Sequence, residues 1–146
     1  MGLYFTPRKA SGMSATMISA LKITAASTAD CGGVWDPDRI AQVVSNLVGN
    51  AVQHSPRDST VRVTLDGREA ARVQLRVHNE GPPISGEIRA GLFDPFKRAA
   101  RLREQGLGLG LYISHQIARL HGGSLEVRST EREGTDFTLD LPRSPA

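Results

Sequence analysis

The stretch that decides the fold is "DPDRIAQVVSNLVGNAVQHSP", residues 36–56. Its apolar residues recur at i, i+3, i+4, i+7, i+8 and i+11, which is the spacing of one face of an amphipathic helix. They are Ile40, Val43, Val44, Leu47, Val48 and Ala51. The spacing predicts a helix that buries one face against another layer of the protein.

The ends of this helix are also marked in the sequence. Asp36 or Asp38 can cap its start, and Pro37 suits the first turn. Pro56 disfavours helical geometry at Ser55, so we expect the helix to end there.

Polar amides form a second line on the same helix. Gln42, Asn46, Asn50 and Gln53 recur at spacings of four, four and three. Carboxamide oxygens are hard neutral ligands of the kind that magnesium accepts beside waters and phosphates. An ordinary polar helix surface is the alternative interpretation.

Alternating apolar and polar residues predict strands in the rest of the chain. Segments 60–65 and 71–79 alternate on either side of "DGRE", and segments 124–130 and 135–142 alternate around "EREG". Each pair is predicted to be an antiparallel hairpin. Segment 17–26 alternates imperfectly and predicts a first strand.

A second helix is predicted from Leu111, with Ile113, Ile117 and Leu120 on one stripe and an end at Gly122. The order is then strand, helix, two strands, glycine-rich loop, helix, two strands. This order favours an α+β two-layer sandwich, with a sheet of about five strands and helices on one face.

Composition sets the class of protein. The chain has 146 residues and a net charge of +3, which is typical of one globular domain and does not favour nucleic acid as a partner. Its single cysteine, Cys31, excludes an internal disulfide. No apolar run is long enough to span a membrane, so we expect a cytoplasmic location without membrane contact. We expect residues 1–14 to be a poorly ordered arm and residues 15–146 to be the domain.

Alternating glycines precede the second helix in "EQGLGLGLYI", residues 104–113. Gly106, Gly108 and Gly110 would let backbone N–H groups approach a phosphate, and a helix N-terminus favours negative charge. A flexible hinge is the alternative. The segment is neither a Walker motif nor a convincing dinucleotide fingerprint.

A third motif, "VHNEGPPI" at 77–84, ends a strand and turns sharply. Asn79 there is placed to face a pocket between the sheet and the first helix. A simple turn is the alternative.

Together with "GLFDPFKR" at 91–98, these motifs resemble the ATP-binding catalytic domain of bacterial sensor histidine kinases. The resemblance covers about residues 34–142, extends to the closing strand "EGTDFTLDLP", and follows the family order. It implies a Bergerat-type fold, with a mixed sheet of about five strands and about three helices on one face. The wider family includes topoisomerase, mismatch-repair and heat-shock chaperone ATPases.

The resemblance also implies roles for individual residues. Asn50 would bind Mg²⁺, Asn46 would point at the same ion or its waters, and Arg98 would reach the terminal phosphate, so that these three would be the catalytic residues. A lid would span about 97–106. The residues implied for ATP are Asn46, Asn50, Gln53, Asn79, Gly81, Ile84, Phe93, Phe96, Lys97, Arg98, Gly106, Leu107, Gly108, Leu109, Gly110, Leu111 and Thr135.

Three positions depart from the family pattern. Asn79 stands where most members have Asp, Pro83 replaces a glycine, and Gln53 replaces a lysine. An amide oxygen can accept from the adenine amine as a carboxylate does, but its NH₂ then needs another partner. The "HNEGPPI" variant is similar to one in phytochrome-like kinases.

Asn46 also discriminates between reactions within the family. Members that hydrolyse ATP place a Glu there, and an amide cannot take a proton at neutral pH. The resemblance therefore implies transfer of the γ-phosphoryl group to a histidine, with a response regulator downstream. The chain has four histidines, none in the family's acceptor pattern, so the acceptor would lie on a separate dimerisation domain. The alternatives are a non-catalytic nucleotide-binding module and an anti-sigma-type serine kinase.

Overall fold

The structure, a computed structural model, describes residues 2–3, 21–94 and 108–144. Its elements in chain order are β1 (Gly2–Leu3), β2 (Lys22–Thr28), β3 (Gly33–Val34), α1 (Pro37–His54), β4 (Thr60–Asp66), β5 (Arg72–Asn79), α2 (Gly86–Ala90), α3 (Gly108–Leu120), β6 (Ser124–Thr130) and β7 (Gly134–Pro142). Apart from β1, the predicted arm over 1–14 lies outside the described residues, and so does the whole of the predicted lid at 97–106. The division of the chain at residue 15 stays a prediction.

One layer of the protein is a five-stranded sheet in the order β2-β4-β5-β7-β6. β2 runs parallel to β4, and the other neighbours are antiparallel. The predicted mixed sheet and both predicted hairpins, β4 with β5 and β6 with β7, are therefore confirmed. β1 pairs separately with β3.

The helix α1 is the crossover that joins the parallel strands β2 and β4. The Asp36 side chain caps it by accepting from the backbone N–H groups of Asp38 and Arg39, and it ends at His54 before Ser55. Its fully buried face comprises Ile40, Val43, Leu47 and Ala51. The predicted helix and its ends are confirmed.

Strict alternation in β5 and β7 turns one side of the sheet toward the helices. The buried residues are Val73, Leu75, Val77 and Asn79 on β5 and Thr135, Phe137, Leu139 and Leu141 on β7. α1 packs on β4 and β5, α3 packs on β6 and β7, and the two helices contact each other. This is the predicted α+β two-layer arrangement. The same alternation brings Asn79 and Thr135 into the interior as register partners.

The helix α3 corrects two predictions. It begins at Gly108 and not at Leu111, so Gly108 and Gly110 belong to its first turn. Leu120 does not lie on the buried stripe, since 80% of it is exposed. At about 100° per residue, nine positions carry Leu120 to the side of the helix opposite Leu111.

Arg143 ties the end of the chain to two loops. Its guanidinium donates to the carbonyl oxygens of Asp30 (2.7 Å) and Gly32 (2.9 Å), between β2 and β3. It also donates to those of Gly67 (2.7 Å) and Glu69 (3.1 Å), between β4 and β5. Four backbone acceptors in two loops thus depend on one side chain.

Within the described part of the chain, no helix has both the length and the apolar character needed to cross a bilayer.

Candidate functional site

A cavity of about 330 Å³ opens where the C-terminal half of α1 meets the ends of β5 and β7 and the loop before α2. Its lining residues are Asn50, His54, Asn79, Pro82, Pro83, Ile84, Ser85, Ile88, Thr135 and Phe137. The cavity therefore brings together four of the predicted ATP-site residues from four separate parts of the chain: Asn50, Asn79, Ile84 and Thr135.

Two polar atoms of α1 in this cavity are buried without a hydrogen-bond partner among the described residues. They are Asn50 Oδ1 and, one turn later, His54 Nε2. A buried polar atom without a partner costs about 1–3 kcal/mol, so such atoms are rare in native proteins unless a ligand or water completes them. Burial also lowers the pKa of the His54 imidazole, which keeps it neutral at pH 7. Both atoms are consistent with a ligand that the protein alone does not supply.

Asn79 presents an acceptor to the cavity. The residue is 5% exposed, and its Nδ2 donates to the carbonyl oxygen of Glu80 at 2.9 Å. This bond supplies the partner that the NH₂ group of an amide needs at this position. Asn79 Oδ1 accepts no hydrogen bond from the described residues, so it remains available to a ligand that donates.

Hydroxyl groups hold the loop after β5 against the sheet. The Ile84 backbone N–H donates to Ser129 Oγ at 2.8 Å, and Ser129 Oγ lies 2.7 Å from Thr135 Oγ1. Both hydroxyl residues are buried. Ile84 and Thr135, which both line the cavity, are thereby linked through the Ser129 hydroxyl.

Two glycines with positive φ make this arrangement possible. Gly81 has a φ of 138°, and a Cβ added there would lie 2.8 Å from the carbonyl oxygen of His54. Gly134 has a φ of 80°, and a Cβ added there would lie 2.5 Å from the carbonyl oxygen of Asn79. Only glycine lets the turns pass this close to α1 and β5.

Asn46 lies outside the cavity lining and faces α3. Its Nδ2 donates to the carbonyl oxygen of Gly110 at 3.1 Å and to Ser114 Oγ at 3.2 Å. A Cβ on Gly110 would stand 3.4 Å from Asn46 Cγ. Gly110 therefore lies directly against the Asn46 side chain at the contact between the two helices, a placement that the glycine run did not reveal.

The remaining predicted residues are spread around the site. Phe93 stacks on His115 with ring centroids 4.8 Å apart, away from the cavity lining, and Gln53 is exposed on α1. Leu109 is 58% exposed, whereas Leu111 belongs to the core. Phe96, Lys97, Arg98, Gly106 and Leu107 lie outside the described residues.

His54 is a site residue that the sequence analysis missed, because it was considered only as a candidate phosphoacceptor. Its position four residues after Asn50 was the available signal, since residues at this spacing share a helix face.

A second cavity, of about 460 Å³, lies on the other flank of α1 and is larger. Its walls are almost entirely apolar, with Val44 and Val48 of α1 facing Val63 and Leu65 of β4. It offers no set of polar groups to hold a charged ligand, so the smaller cavity is the candidate site.

A cage of protein carboxylates for a metal is not present among the described residues, which contain no group of three or more His, Cys, Asp or Glu placed to hold an ion. Asn50 Oδ1 is, however, a buried neutral oxygen without a partner. One such ligand suits Mg²⁺, which keeps several waters and binds substrate phosphates. The residues present therefore fit a magnesium ion that arrives with a nucleotide.

Comparison with known proteins agrees with this geometry. The family model described as "Histidine kinase-, DNA gyrase B-, and HSP90-like ATPase" matches residues 35–145. The chain is 37% identical over 113 residues to the signal transduction histidine-protein kinase AfsQ2 of Streptomyces coelicolor, which covers 76% of this chain and 21% of AfsQ2. It is 38% identical over 115 residues to the sensor protein SrrB of Staphylococcus aureus, and this match covers 75% of this chain and 20% of SrrB. The chain thus spans about a fifth of the length of these relatives.

Solved structures give the same result. The catalytic domain of histidine kinase ThkA superposes with a TM-score of 0.76 at 29% identity, over 87% of this chain and 82% of that domain. ThkA has also been solved in complex with the response regulator protein TrrA, where 86% of this chain matches 35% of ThkA at 28% identity and a TM-score of 0.70. The chain therefore belongs to the family of histidine kinase-, DNA gyrase B- and HSP90-like ATPases, as a catalytic domain of the kind found in sensor histidine kinases.

Proposed function

We propose that the chain binds Mg-ATP in the cavity beside Asn50 and transfers the γ-phosphoryl group to a histidine on a separate dimerisation domain. The observation that carries the proposal is the buried, unpartnered Oδ1 of Asn50 in the same cavity as the acceptor Oδ1 of Asn79. One oxygen suits a metal ion, and the other suits the exocyclic amine of adenine.

Different described residues would bind different parts of Mg-ATP. Asn79 accepts from the adenine amine, while Ile84 and Phe137 supply apolar walls for the base. Asn50 Oδ1 is the ligand to the metal. The N-terminal turn of α3, which begins at Gly108, would offer backbone N–H groups to the phosphates. Magnesium, when bound, would neutralise charge on the triphosphate.

Residues outside the described part of the chain complete the proposal. Lys97 and Arg98 belong to the predicted lid at 97–106, with Arg98 predicted to contact the terminal phosphate, and Phe96 directly precedes the lid. Gly106 and Leu107 lead into the first turn of α3. Their roles rest on the family resemblance.

The absence of a proton acceptor at Asn46 supports transfer over hydrolysis. Its amide cannot take a proton from water, and its Nδ2 is already bonded to α3. A neutral histidine is nucleophilic without such help. The site would then act by positioning and by electrostatic stabilisation.

The partners follow from the same proposal. ThkA, whose catalytic domain shares this fold, is a histidine kinase solved with a response regulator. We infer that this chain phosphorylates a histidine-bearing dimerisation domain and, through it, supplies a response regulator.

Binding is tested first. We expect the parent chain to bind ATP in a magnesium-dependent way and Asn50→Ala to lose that dependence, because the buried ligand oxygen is removed. Gln42→Ala is the matched control, since Gln42 is an exposed amide two turns earlier on α1. Calorimetric titration with ATP, in Mg²⁺ and in EDTA, measures both. Equal Mg-ATP affinity in Asn50→Ala and the parent would exclude Asn50 as the ligand.

Transfer is tested with γ-labelled ATP and a panel of histidine-bearing dimerisation domains. Acid-labile, alkali-stable label on a domain supports a histidine kinase. Acid-stable label on a serine would indicate the serine kinase instead. Tight Mg-ATP binding with no label on any domain would indicate a non-catalytic nucleotide-binding module.

A further inference from the structure

The amide of Asn46 joins α1 to α3. Its Nδ2 donates to Gly110 O at 3.1 Å and to Ser114 Oγ at 3.2 Å. A carboxamide carries two N–H donors, so both are used within the protein. A ligand can therefore engage this amide only through its oxygen.

The amide oxygen lies beside the first turn of α3. A Cβ built on Gly110 would stand 3.6 Å from Asn46 Oδ1. Asn46 also precedes Asn50 by one helical turn, so the two side chains share a face of α1. Asn46 Oδ1 is thus held between the proposed metal ligand and the end of α3 proposed to meet the phosphates.

Ser114 is the unusual partner in this contact. It is completely buried between the two helices, where an apolar residue would pack without the cost of burying a hydroxyl. Its Oγ accepts from Asn46, and no other partner for it is seen among the described residues. The hydroxyl therefore has a local function, which is to hold the Asn46 amide in one orientation.

We propose that Ser114 is a positioning residue for the metal–triphosphate site. By holding Nδ2 of Asn46 together with Gly110 O, it turns Oδ1 toward the hydrated metal ion bound at Asn50. Without Ser114 the amide keeps one bond to α3 and can rotate about its last side-chain torsion. The inference rests on the proposed function and adds a residue that acts through Asn46.

The first test compares ATP affinity in saturating Mg²⁺ and in EDTA. We expect Ser114→Ala to weaken Mg-ATP binding about 10-fold, as is usual when a partner of a metal-site residue is removed, and to leave metal-free binding unchanged. Ser59→Ala is the matched control, because it also removes a buried hydroxyl, one that donates to Pro56 O at 2.6 Å. We expect Ser59→Ala to keep the magnesium dependence of the parent.

A double-mutant cycle separates positioning from packing. If Ser114 acts through Asn46, then Ser114→Ala has no further effect on Mg-ATP affinity once Asn46→Ala is present. A full, additive effect in that background overturns the inference, and so does an unchanged magnesium dependence in Ser114→Ala alone.

NMR spectroscopy of the ligand-free protein reports on the Asn46 amide without any nucleotide. We expect the Asn46 side-chain NH₂ resonances to be well separated and slow to exchange in the ligand-free parent, and to lose both properties in Ser114→Ala. A parent that binds no Mg-ATP overturns the proposed function and this inference with it. A parent that binds, with Asn50→Ala defective and Ser114→Ala normal, overturns the inference alone.

Discussion

At the scale of single residues, the bond from Asn79 Nδ2 to Glu80 O would decide which base the proposed site accepts. It would leave Oδ1 as the group that meets the base. Guanine places an acceptor oxygen where adenine places its amine, and a flipped amide would instead set Oδ1 against the Glu80 carbonyl. Each orientation therefore leaves two acceptors facing each other when guanine is bound.

We accordingly expect ATP to bind about 10-fold or more tightly than GTP, since a buried polar group without its bond costs about 1–3 kcal/mol. Competition titration of the parent measures the ratio. Asn79→Leu, which is nearly isosteric and lacks the acceptor, should bring the two affinities together. A parent with equal affinity for both nucleotides would contradict the role of Asn79.

The same bond makes the family's usual aspartate unfavourable here. Asn79→Asp sets a carboxylate oxygen near Glu80 O, where the amide now donates across 2.9 Å. We expect this variant to keep ATP binding through its other oxygen but to have a lower free energy of unfolding. Urea denaturation without nucleotide checks the second part, and an unchanged midpoint would contradict it.

Asn50 and Asn79 could be predicted from the sequence as candidate site residues because local patterns mark their positions. Asn50 lies on a recognisable helix face, and Asn79 lies at the end of an alternating strand. The sequence did not predict where Nδ2 of Asn46 or Asn79 bonds. The partners of Asn46 lie on α3, so they depend on how distant elements pack. The partner of Asn79 is the carbonyl of the next residue, whose orientation is set by the turn after β5. His54 was missed for a different reason: its spacing of four residues from Asn50 is a local signal, but the residue was considered only as a phosphoacceptor.

At the scale of elements, the stack of Phe93 on His115 joins the loop after α2 to α3. Burial lowers the pKa of the His115 imidazole, and the nearby charge of Arg119 lowers it further. Its Nδ1 is buried without a partner among the described residues. The native state therefore favours the neutral ring.

A pH dependence of stability follows, with a definite sign. Below the ordinary histidine pKa of 6.5 the unfolded chain binds the proton more readily than the folded one, so the free energy of unfolding falls as the pH drops through that value. We expect urea midpoints to decrease from pH 7 to pH 5 and His115→Gln to reduce that slope. A slope unchanged by the substitution would show that other groups cause it.

Element boundaries show where local pattern fails. The two hairpins and α1 were predicted because period and turn residues are local signals. The start of α3 was misplaced because glycines have low helix propensity, whereas in the folded protein Gly110 lies against Asn46 and its carbonyl oxygen accepts from the Asn46 amide. The first turn of α3 is thus helical despite its low propensity, in contact with α1.

At the scale of the whole molecule, Arg143 connects the last strand to the loops at one end of the sheet through four backbone carbonyls. A lysine keeps the charge but cannot span both loops with a planar fork of donors. We expect Arg143→Lys to lower the free energy of unfolding by about 1.5–3 kcal/mol, the usual range for hydrogen bonds to a charged group.

Arg76→Lys is the matched control, because Arg76 is an exposed arginine on β5. Urea unfolding of the two variants beside the parent measures the difference. Equal stability of all three would show that the guanidinium fork contributes nothing beyond its charge.

The parallel pairing of β2 with β4 has a consequence for how the molecule opens. Lys22 of β2 and Thr60 of β4 are paired in the sheet, but the chain between them contains the whole of α1. β6 and β7, in contrast, are joined by a short turn. Closing the longer loop costs more entropy, and β2 is an edge strand with one neighbour. We expect amide protons of β2 to exchange with solvent faster than those of β5, measured by hydrogen exchange. Because the cavity is lined by residues of α1, β5, α2, β7 and the loop between β5 and α2, transient opening of β2 would leave every lining element in place around a bound nucleotide.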